Sequence, residues 1–187
     1  MAERLCPWWI GYLLASRWRK YLQDPGKILE PYVREGMTVF EPGPGMGFFT
    51  LELARRVGES GRVIVSDIQP KLLDGLRRRA GKAGMLERLV IRLAGPESMN
   101  VDDLASQADF ALALAVVHEM PSAESFFLQA ARVLKPGGLL LVAEPRMHVR
   151  PERFEEELAA AASAGLELAE RPVVPRSHAA VLRKRGG

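Results

Sequence analysis

A glycine-rich turn between a strand pattern and a helix pattern constrains this chain more than any other feature. A short apolar run over residues 37–40 leads to Glu41, three glycines follow at alternate positions, and an apolar helical pattern begins at Phe48. The glycines are Gly43, Gly45 and Gly47. Glycine tolerates positive φ and has no Cβ, so the backbone can turn sharply and approach a nucleotide-like ligand at a helix N-terminus. The stretch predicts a cofactor site, and a tight loop in another α/β protein is the alternative interpretation.

The spacing of these glycines distinguishes between cofactors. A dinucleotide fingerprint has the pattern Gly-x-Gly-x-x-Gly, whereas here the third glycine comes one residue early and Glu41 precedes the first glycine by two positions. An anionic side chain at that place would repel a diphosphate and would suit a ligand with an ammonium group. The spacing therefore disfavours a nicotinamide-dependent oxidoreductase.

The composition is that of one globular domain with a sizeable core, since the 187 residues are 48% hydrophobic and 26% charged. We expect a single domain over residues 1–187, with an N-terminal helical cap (1–35) and an α/β core (36–187). The net charge of +3 is compatible with nucleic acid or an anionic membrane but requires neither. The single cysteine, Cys6, excludes an internal disulfide and a thiolate metal cluster, which favours a cytoplasmic protein without a metal site.

An amphipathic leader helix is predicted over residues 5–24, apolar and aromatic first and basic afterwards. Trp8, Trp9 and Tyr12 have three alternative roles: they cover apolar surface of the domain, wall the substrate pocket, or lie in a membrane interface. The apolar run is shorter than the roughly 20 residues that span a bilayer, and it lacks the cleavage pattern of a signal peptide. We expect a soluble protein that can associate with a membrane only through this helix.

Strand and helix patterns alternate along the rest of the chain. Strands are predicted over 62–67, 89–93, 109–117, 139–144, 166–173 and 177–184, and helices over 27–34, 48–57, 70–80, 126–134 and 151–164. The run 109–117 is continuously apolar, as expected of a strand that is covered on both faces of a parallel sheet. The order of the patterns predicts an α/β fold.

Polar residues stand where two of these strands end, at the sheet edge where α/β proteins bind ligands. Asp67 lies 24 residues after Gly43, close to the spacing of an acid that binds ribose hydroxyls; its alternative role is that of an acid at a helix N-terminus. His118 and Glu119 follow the fourth strand. His118 is either a general base or a structural cap of the loop.

The chain resembles the class I methyltransferases that use S-adenosylmethionine, of the type that acts on small molecules. Three segments between residues 36 and 144 carry the resemblance: the acid-x-Gly-x-Gly-x-Gly motif from Glu41 to Gly47, the apolar run that ends in His118 before Pro121, and the Leu-Lys-Pro-Gly-Gly turn over 134–138. The resemblance implies a Rossmann-like, mostly parallel seven-stranded sheet with an antiparallel last strand and helices on both faces.

The resemblance also implies which residues bind S-adenosylmethionine. They are Glu41, Gly43, Gly45, Gly47, Phe48, Asp67, Ile68, Gly95, Ser98 and Ala115. Within this set, Glu41 is expected to meet the amino end of the cofactor and Ile68 to flank the adenine. The chain departs from the family after the third strand, where it has Ala94-Gly95-Pro96-Glu97-Ser98 in place of an acid that binds adenine. Gly95 and Ser98 are the predicted substitutes.

Methyl transfer from a sulfonium needs alignment of the reactants and exclusion of water more than a fixed catalytic motif. His118 is the predicted base, because its pKa suits proton removal near neutrality, and Glu144, Glu119 and His148 are the alternates. Arg146 joins the leader aromatics as a predicted substrate-binding residue. The predicted function is methyl transfer to a small, partly apolar acceptor.

Two other functions stay open at this point. One is a regulatory or inactive module that binds S-adenosylmethionine without turnover, and the other is methylation of RNA or protein. The Asn/Asp-Pro-Pro-Tyr motif of enzymes that methylate the amino groups of bases is absent, and the basic run Arg77–Arg79 reads as a solvated helix face. Nucleic acid is therefore the less favoured substrate.

Overall fold

Seven strands form one sheet in the computed structural model, which describes residues 23–186. The strands are β1 (Thr38–Pro42), β2 (Arg62–Asp67), β3 (Leu89–Leu93), β4 (Ala108–Leu114), β5 (Leu134–Pro145), β6 (Leu166–Glu170) and β7 (Ser177–Lys184). The predicted leader helix lies outside the described residues except for its last two positions, and so do Cys6, Trp8, Trp9 and Tyr12.

The sheet has the order β3-β2-β1-β4-β5-β7-β6. The strands β1 to β5 pair in parallel, and β7 is antiparallel to both β5 and β6. This topology confirms the predicted mostly parallel sheet with an antiparallel last strand. The strand order reverses between β1 and β4, and ligands of open α/β sheets bind beyond the carboxyl ends of the strands at such a point.

Five helices lie beside the sheet within the described residues: α1 (Pro25–Leu29), α2 (Thr50–Val57), α3 (Pro70–Lys82), α4 (Ala123–Val133) and α5 (Pro151–Ser163). Their starts have local causes. Proline occupies the first turn of α3 and α5, where a missing N–H costs nothing. The hydroxyl of Ser122 caps α4 by accepting a hydrogen bond from the Ser125 N–H at 3.0 Å.

Two apolar clusters cover opposite faces of the sheet, because successive strand residues point to opposite sides. In β1, Phe40 joins the cluster that contains Phe126 of α4 and Phe154 of α5, whereas Val39 joins the cluster that contains Leu53 of α2 and Leu76 of α3. The central strands are therefore buried on both faces, as their continuous apolar runs predict.

Several predicted boundaries were wrong, and the helix predicted over 126–134 is α4, which begins three residues earlier at Ala123. The helix predicted over 27–34 is only α1, since residues 30–32 form a turn; the helix predicted from Phe48 begins at Thr50; and β6 ends at Glu170 rather than at residue 173. The strand predicted over 109–117 ends at Leu114, because Ala115 has a φ of +57° and the chain turns into a short 3₁₀ helix, Val117–Glu119.

The Lys-Pro-Gly-Gly segment does not precede β5 but lies inside it. Ala108 of β4 pairs with Leu134, and Phe110 pairs with Leu139, so the residues between 134 and 139 bulge out of the ladder. Gly137 has a φ of +76°, a conformation that glycine adopts without strain. The segment therefore works as a bulge that sets the register of β5.

Candidate active site

The three glycines of the turn differ in what surrounds them. All have positive φ, at +64° for Gly43, +54° for Gly45 and +82° for Gly47. A Cβ at Gly43 would lie 2.6 Å from Cγ2 of Val116, and a Cβ at Gly47 would collide with the side chain of Leu76. No described atom lies within 4 Å of the Cβ position at Gly45. Gly43 and Gly47 therefore permit close packing of the protein, and Gly45 leaves open space for a ligand.

Glu41 is held at the start of α2. Its side chain is buried, with 5% exposed, and its Oε2 accepts a hydrogen bond of 2.6 Å from the hydroxyl of the fully buried Thr50. The carboxylate thus fixes the end of β1 to the helix that follows the glycine turn. Its predicted contact with the amino end of the cofactor stays a prediction.

Asp67 ends β2 beside the glycine turn. Its side chain is 8% exposed, and it accepts hydrogen bonds from the backbone N–H of Gln69, at 2.9 Å, and from those of Gly45 and Ile68. Burial raises the pKa of Asp67 and these hydrogen bonds oppose the rise. Gln69 is the N-cap residue of α3, so Asp67 does have its alternative role as an acid at a helix N-terminus. Its contact with the ribose stays a prediction.

Gly95 and Ser98, the two predicted adenine contacts, already make hydrogen bonds within the loop after β3. Gly95 donates its N–H to the carbonyl of Ser98 at 2.8 Å, and the hydroxyl of Ser98 accepts a hydrogen bond from the Asn100 N–H at 3.0 Å. Both residues are exposed. These two hydrogen bonds close the loop. The loop lies beside the end of β2, because the N–H of Ala94 donates to the carbonyl of Asp67 at 2.9 Å. Adenine binding here stays a prediction.

His118 and Glu144 form a pair across the ends of two neighbouring strands. Glu144 of β5 is fully buried. Its Oε1 accepts hydrogen bonds from the N–H of Val116, at 3.1 Å, and of Val117, at 3.0 Å, and its Oε2 contacts Nδ1 of His118. The positive φ of Ala115 turns the chain toward this carboxylate. Glu144 therefore holds the loop after β4 as well as the imidazole.

The geometry assigns the two ring nitrogens of His118 different tasks. An ionised carboxylate only accepts hydrogen bonds, so Nδ1 carries the proton that Glu144 binds and Nε2 is left with its lone pair. The hydrogen bond to Glu144 raises the pKa of His118 above its usual value, against the opposing effect of partial burial. This arrangement suits a general base whose protonated form is stabilised by a neighbouring charge.

The remaining predicted acid–base and substrate residues lie along the same edge of the sheet. The ring of His148 stacks on His118, with centroids 5.6 Å apart and planes 2° from parallel, whereas Glu119 is exposed. Arg146 donates from Nε to the carbonyl of Ser177 at 3.1 Å. The guanidinium also borders a surface cavity of about 270 Å³, whose other lining residues include Pro151, Phe154, Val174 and His178.

Glu157 is a member of this neighbourhood that the sequence reasoning missed. Its side chain is only 1% exposed, it lies on α5, and burial, followed by the charge of Glu144, raises its pKa to about 7. Helix periodicity gives the missed signal, because Phe154, Leu158 and Ala161 place residue 157 on the buried face of α5. An acid on an apolar helix face is a candidate for a perturbed pKa.

Two further findings concern the described residues as a group. They include no cluster of His, Cys, Asp and Glu side chains arranged to hold a metal ion. None of the helices between residues 23 and 186 is long and apolar enough to cross a membrane.

The fold is Rossmann-like, with the glycine turn at the carboxyl end of β1, and comparison with known proteins gives its class. A family model described as "Methyltransferase domain" matches residues 40–142, and the chain belongs to this family. It is thus of the S-adenosylmethionine-dependent methyltransferase class that its motifs predict, and S-adenosylmethionine is the cofactor of that class.

Curated relatives and solved structures agree with this class. The chain is 32% identical over 112 residues to proteins named "Ubiquinone/menaquinone biosynthesis C-methyltransferase UbiE" from Salmonella arizonae and Salmonella newport. The match covers 60% of this chain and 44% of each relative, so the chain spans less than half the length of these relatives.

Among solved structures, a SAM-dependent methyltransferase from Aquifex aeolicus is similar with a TM-score of 0.83 and 24% identity, over 96% of this chain and 98% of that one. A putative methyltransferase from Methanococcus maripaludis is similar with a TM-score of 0.80 and 13% identity, over 100% of this chain and 98% of that one. At these identities the similarities show the fold.

Proposed function

We propose that the protein transfers the methyl group of S-adenosylmethionine to a small, partly apolar acceptor, with His118 as the base. The observation that carries the proposal is the His118–Glu144 pair at the carboxyl ends of β4 and β5. β4 is the direct neighbour of β1, whose end leads into the glycine turn. Base and cofactor turn therefore share one edge of the sheet.

The residues of the turn fit the cofactor. Gly45 offers open space where a side chain would otherwise project, and the buried carboxylates of Glu41 and Asp67 flank it as acceptors for ammonium and hydroxyl groups. Phe48, Ile68, Gly95, Ser98 and Ala115 complete the proposed binding set. When bound, S-adenosylmethionine supplies a methyl group that is already activated on a sulfonium, and the departing sulfur keeps the electron pair of the broken bond.

The protein supplies the base and its support. Nε2 of His118 takes the proton from the attacking group of the acceptor, and Glu144 stabilises the imidazolium that forms. The two backbone N–H groups that bind Glu144 hold this carboxylate in place beside the imidazole. His148, stacked on His118, restricts the rotation of its ring.

A hydroxylated aromatic ring is the acceptor class that we favour. The UbiE relatives are named as C-methyltransferases of ubiquinone and menaquinone biosynthesis. Removal of a hydroxyl proton by His118 would raise the electron density of such a ring at the carbon that receives the methyl group. The methylated carbon would then lose its hydrogen as a proton while the oxygen regains one, so that the ring becomes aromatic again and one proton is released overall. The cavity beside Arg146 supports the proposal, because it combines one guanidinium with the apolar side chains of Phe154 and Val174.

The leader segment completes the proposal. We place Trp8, Trp9 and Tyr12 over the acceptor, where they would exclude water; a membrane interface is their alternative location, and it would suit an apolar quinol. We expect a cytoplasmic protein with a small-molecule substrate rather than nucleic acid.

The proposal is tested by the release of S-adenosylhomocysteine from S-adenosylmethionine, measured by mass spectrometry with a panel of quinols and phenols and, in parallel, with total tRNA. We expect release with one class of small acceptor and none with tRNA. Release that depends on tRNA would contradict the acceptor class, and cofactor binding without release on either substrate would favour a regulatory module.

A substitution at Asp67 tests its role in cofactor binding. We expect Asp67→Ala to weaken the binding of S-adenosylhomocysteine by about 1–3 kcal/mol, or roughly 5- to 150-fold, because it removes a buried hydrogen-bonding partner. Isothermal titration calorimetry measures the change. Asp74→Ala is the matched control, since the Asp74 side chain is exposed on α3; equal affinities for the two variants would contradict the assignment.

The pH dependence of turnover tests the role of His118. The base must be neutral to accept a proton, and Glu144 raises its pKa above the usual 6.5. We therefore expect kcat/KM to rise with pH and to reach half of its plateau above pH 6.5, with a loss of about tenfold per pH unit on the acid side. A profile that is flat from pH 5.5 to 8 would contradict a histidine base.

A further inference from the structure

Glu157 is a buried acid in the middle of α5. Within residues 23–186, neither Oε1 nor Oε2 has a hydrogen-bond partner, although the side chain is almost completely buried. Arg153 of the same helix forms an ion pair with Glu157, in which Nε lies 3.7 Å from Oε1. Buried polar groups in folded proteins are nearly always hydrogen-bonded, so this carboxyl group needs an explanation.

The charged groups that face Glu157 come from three parts of the fold. Glu144 acts on it from β5, His118 acts on it from the loop after β4, and Arg153 and Glu156 act on it from α5 itself. The elements α4 and β6 also pack against α5, and they contribute apolar side chains to the core there, among them Phe126, Phe127 and Leu166. The cluster thus holds two buried carboxyl groups and one imidazole.

The two carboxyl groups differ in their hydrogen bonds. Glu144 accepts two backbone N–H groups and contacts His118. Within residues 23–186 Glu157 has no such donors, and burial together with the charge of Glu144 disfavours its charged form. Glu157 is therefore the carboxyl group whose surroundings favour the protonated form.

We propose that Glu157 is a positioning residue of the active site, whose protonation is coupled to that of His118. The proposal rests on the role of His118 as the base in the proposed function. When Glu157 is neutral, His118 faces one ionised carboxylate; when Glu157 loses its proton, a second negative charge stabilises the imidazolium. Groups coupled in this way titrate as a unit over a broad pH range.

The test is the titration of His118 observed by NMR, which needs neither acceptor nor cofactor. The imidazole signals are assigned with His118→Asn and followed from pH 5 to 9. We expect a broad titration in the native protein. In Glu157→Gln, which keeps the shape of the neutral acid, we expect a steeper titration whose midpoint lies lower by on the order of one pH unit.

Glu152→Gln is the matched control, because Glu152 lies on the same helix, is exposed and, unlike Glu156, is not among the charges that act on Glu157. We expect it to leave the titration of His118 unchanged. Identical titrations in the native protein and in Glu157→Gln would overturn the proposal while leaving methyl transfer by His118 intact. Conversely, an absence of methyl transfer would leave this titration unaffected.

The pH dependence of stability gives a second measurement. Folding raises the pKa of Glu157 from 4.5 to about 7, so the native state binds the proton of Glu157 more tightly than the unfolded state does. The free energy of unfolding that this proton contributes is therefore lost as pH rises from 4.5 through 7. We expect the urea midpoint of Glu157→Gln to exceed that of the native protein increasingly over this range. If Glu157→Gln does not fold, Glu157→Met, which is of similar length and uncharged, serves for both measurements. A constant difference across this range would overturn the proposal.

Discussion

Replacing His118 with asparagine is expected to lower kcat by about 100- to 10,000-fold, the usual contribution of a general base. The asparagine amide can still donate a hydrogen bond from the place of Nδ1, so Glu144 would keep its partner and the loop after β4 its anchor. The substitution removes only Nε2, the nitrogen that we propose accepts the proton. The release of S-adenosylhomocysteine under saturating cofactor and acceptor measures the change.

His148→Asn is the control variant, which removes the stacked ring but leaves the proposed base in place. His148 stacks on His118 but has no described contact with Glu144, so we expect a decrease in kcat of less than about tenfold. A large loss in His148→Asn together with near-normal turnover in His118→Asn would reverse the assignment. Cofactor affinity is expected to stay within about twofold of the native value in both variants, because neither side chain belongs to the proposed binding set.

Replacing Gly45 with valine is expected to reduce the affinity for S-adenosylmethionine by more than about 100-fold, which corresponds to roughly 2.7 kcal/mol or more. The Cβ position at Gly45 faces open space at the carboxyl end of β1, so the added side chain would occupy the volume that the ligand needs. Equilibrium dialysis with radiolabelled cofactor measures the change without requiring turnover.

Gly84→Val is the matched control for backbone strain. Gly84 follows α3, has a φ of +66° and likewise has no described atom within 4 Å of its Cβ position. A valine at either glycine costs roughly 1–2 kcal/mol because of its positive φ, so the two variants are expected to lose similar stability. Only Gly45→Val is expected to lose the cofactor, and retention of native affinity by that variant would refute the proposed binding surface.

Local sequence patterns predicted most of the sheet. The bounds of β2 and β3 were predicted without error, because each apolar run is closed by a change of residue type: β2 begins after Gly61 and ends at Asp67, and β3 ends before Ala94-Gly95-Pro96. The glycine turn and the apolar fourth strand were recognisable for the same reason. The alternation of strands and helices predicted the α/β class, whereas the mostly parallel sheet with an antiparallel last strand was implied by the resemblance to the methyltransferase family.

The end of β4 was not predictable from local pattern. The apolar run continues through Ala115, Val116 and Val117, and none of these residues is a usual breaker. The chain leaves the sheet because Ala115 adopts a positive φ, which is uncommon for a residue with a Cβ. Glu144, 28 residues further along the chain, stabilises this turn by accepting the N–H groups of Val116 and Val117.

Tertiary contacts also decide what each glycine does. The motif treats Gly43, Gly45 and Gly47 alike, yet Gly47 is required by Leu76 of α3, whereas Gly45 faces open space. Glu157 was missed because its environment also depends on tertiary contacts. Its neighbours in an alanine-rich helix gave no indication that the fold brings Glu144 and His118 near it. Sequence patterns indicate which residues carry chemistry, and packing decides which of them share an environment.

A crystal structure of the complex with S-adenosylhomocysteine tests most directly whether the glycine turn and the His118–Glu144 pair form one active site. The ligand is predicted to lie over Gly45, with its ribose hydroxyls within hydrogen-bond distance of Asp67 and its sulfur on the side of the site that His118 faces. A ligand bound elsewhere, or one whose sulfur is separated from His118 by folded protein, would contradict the account.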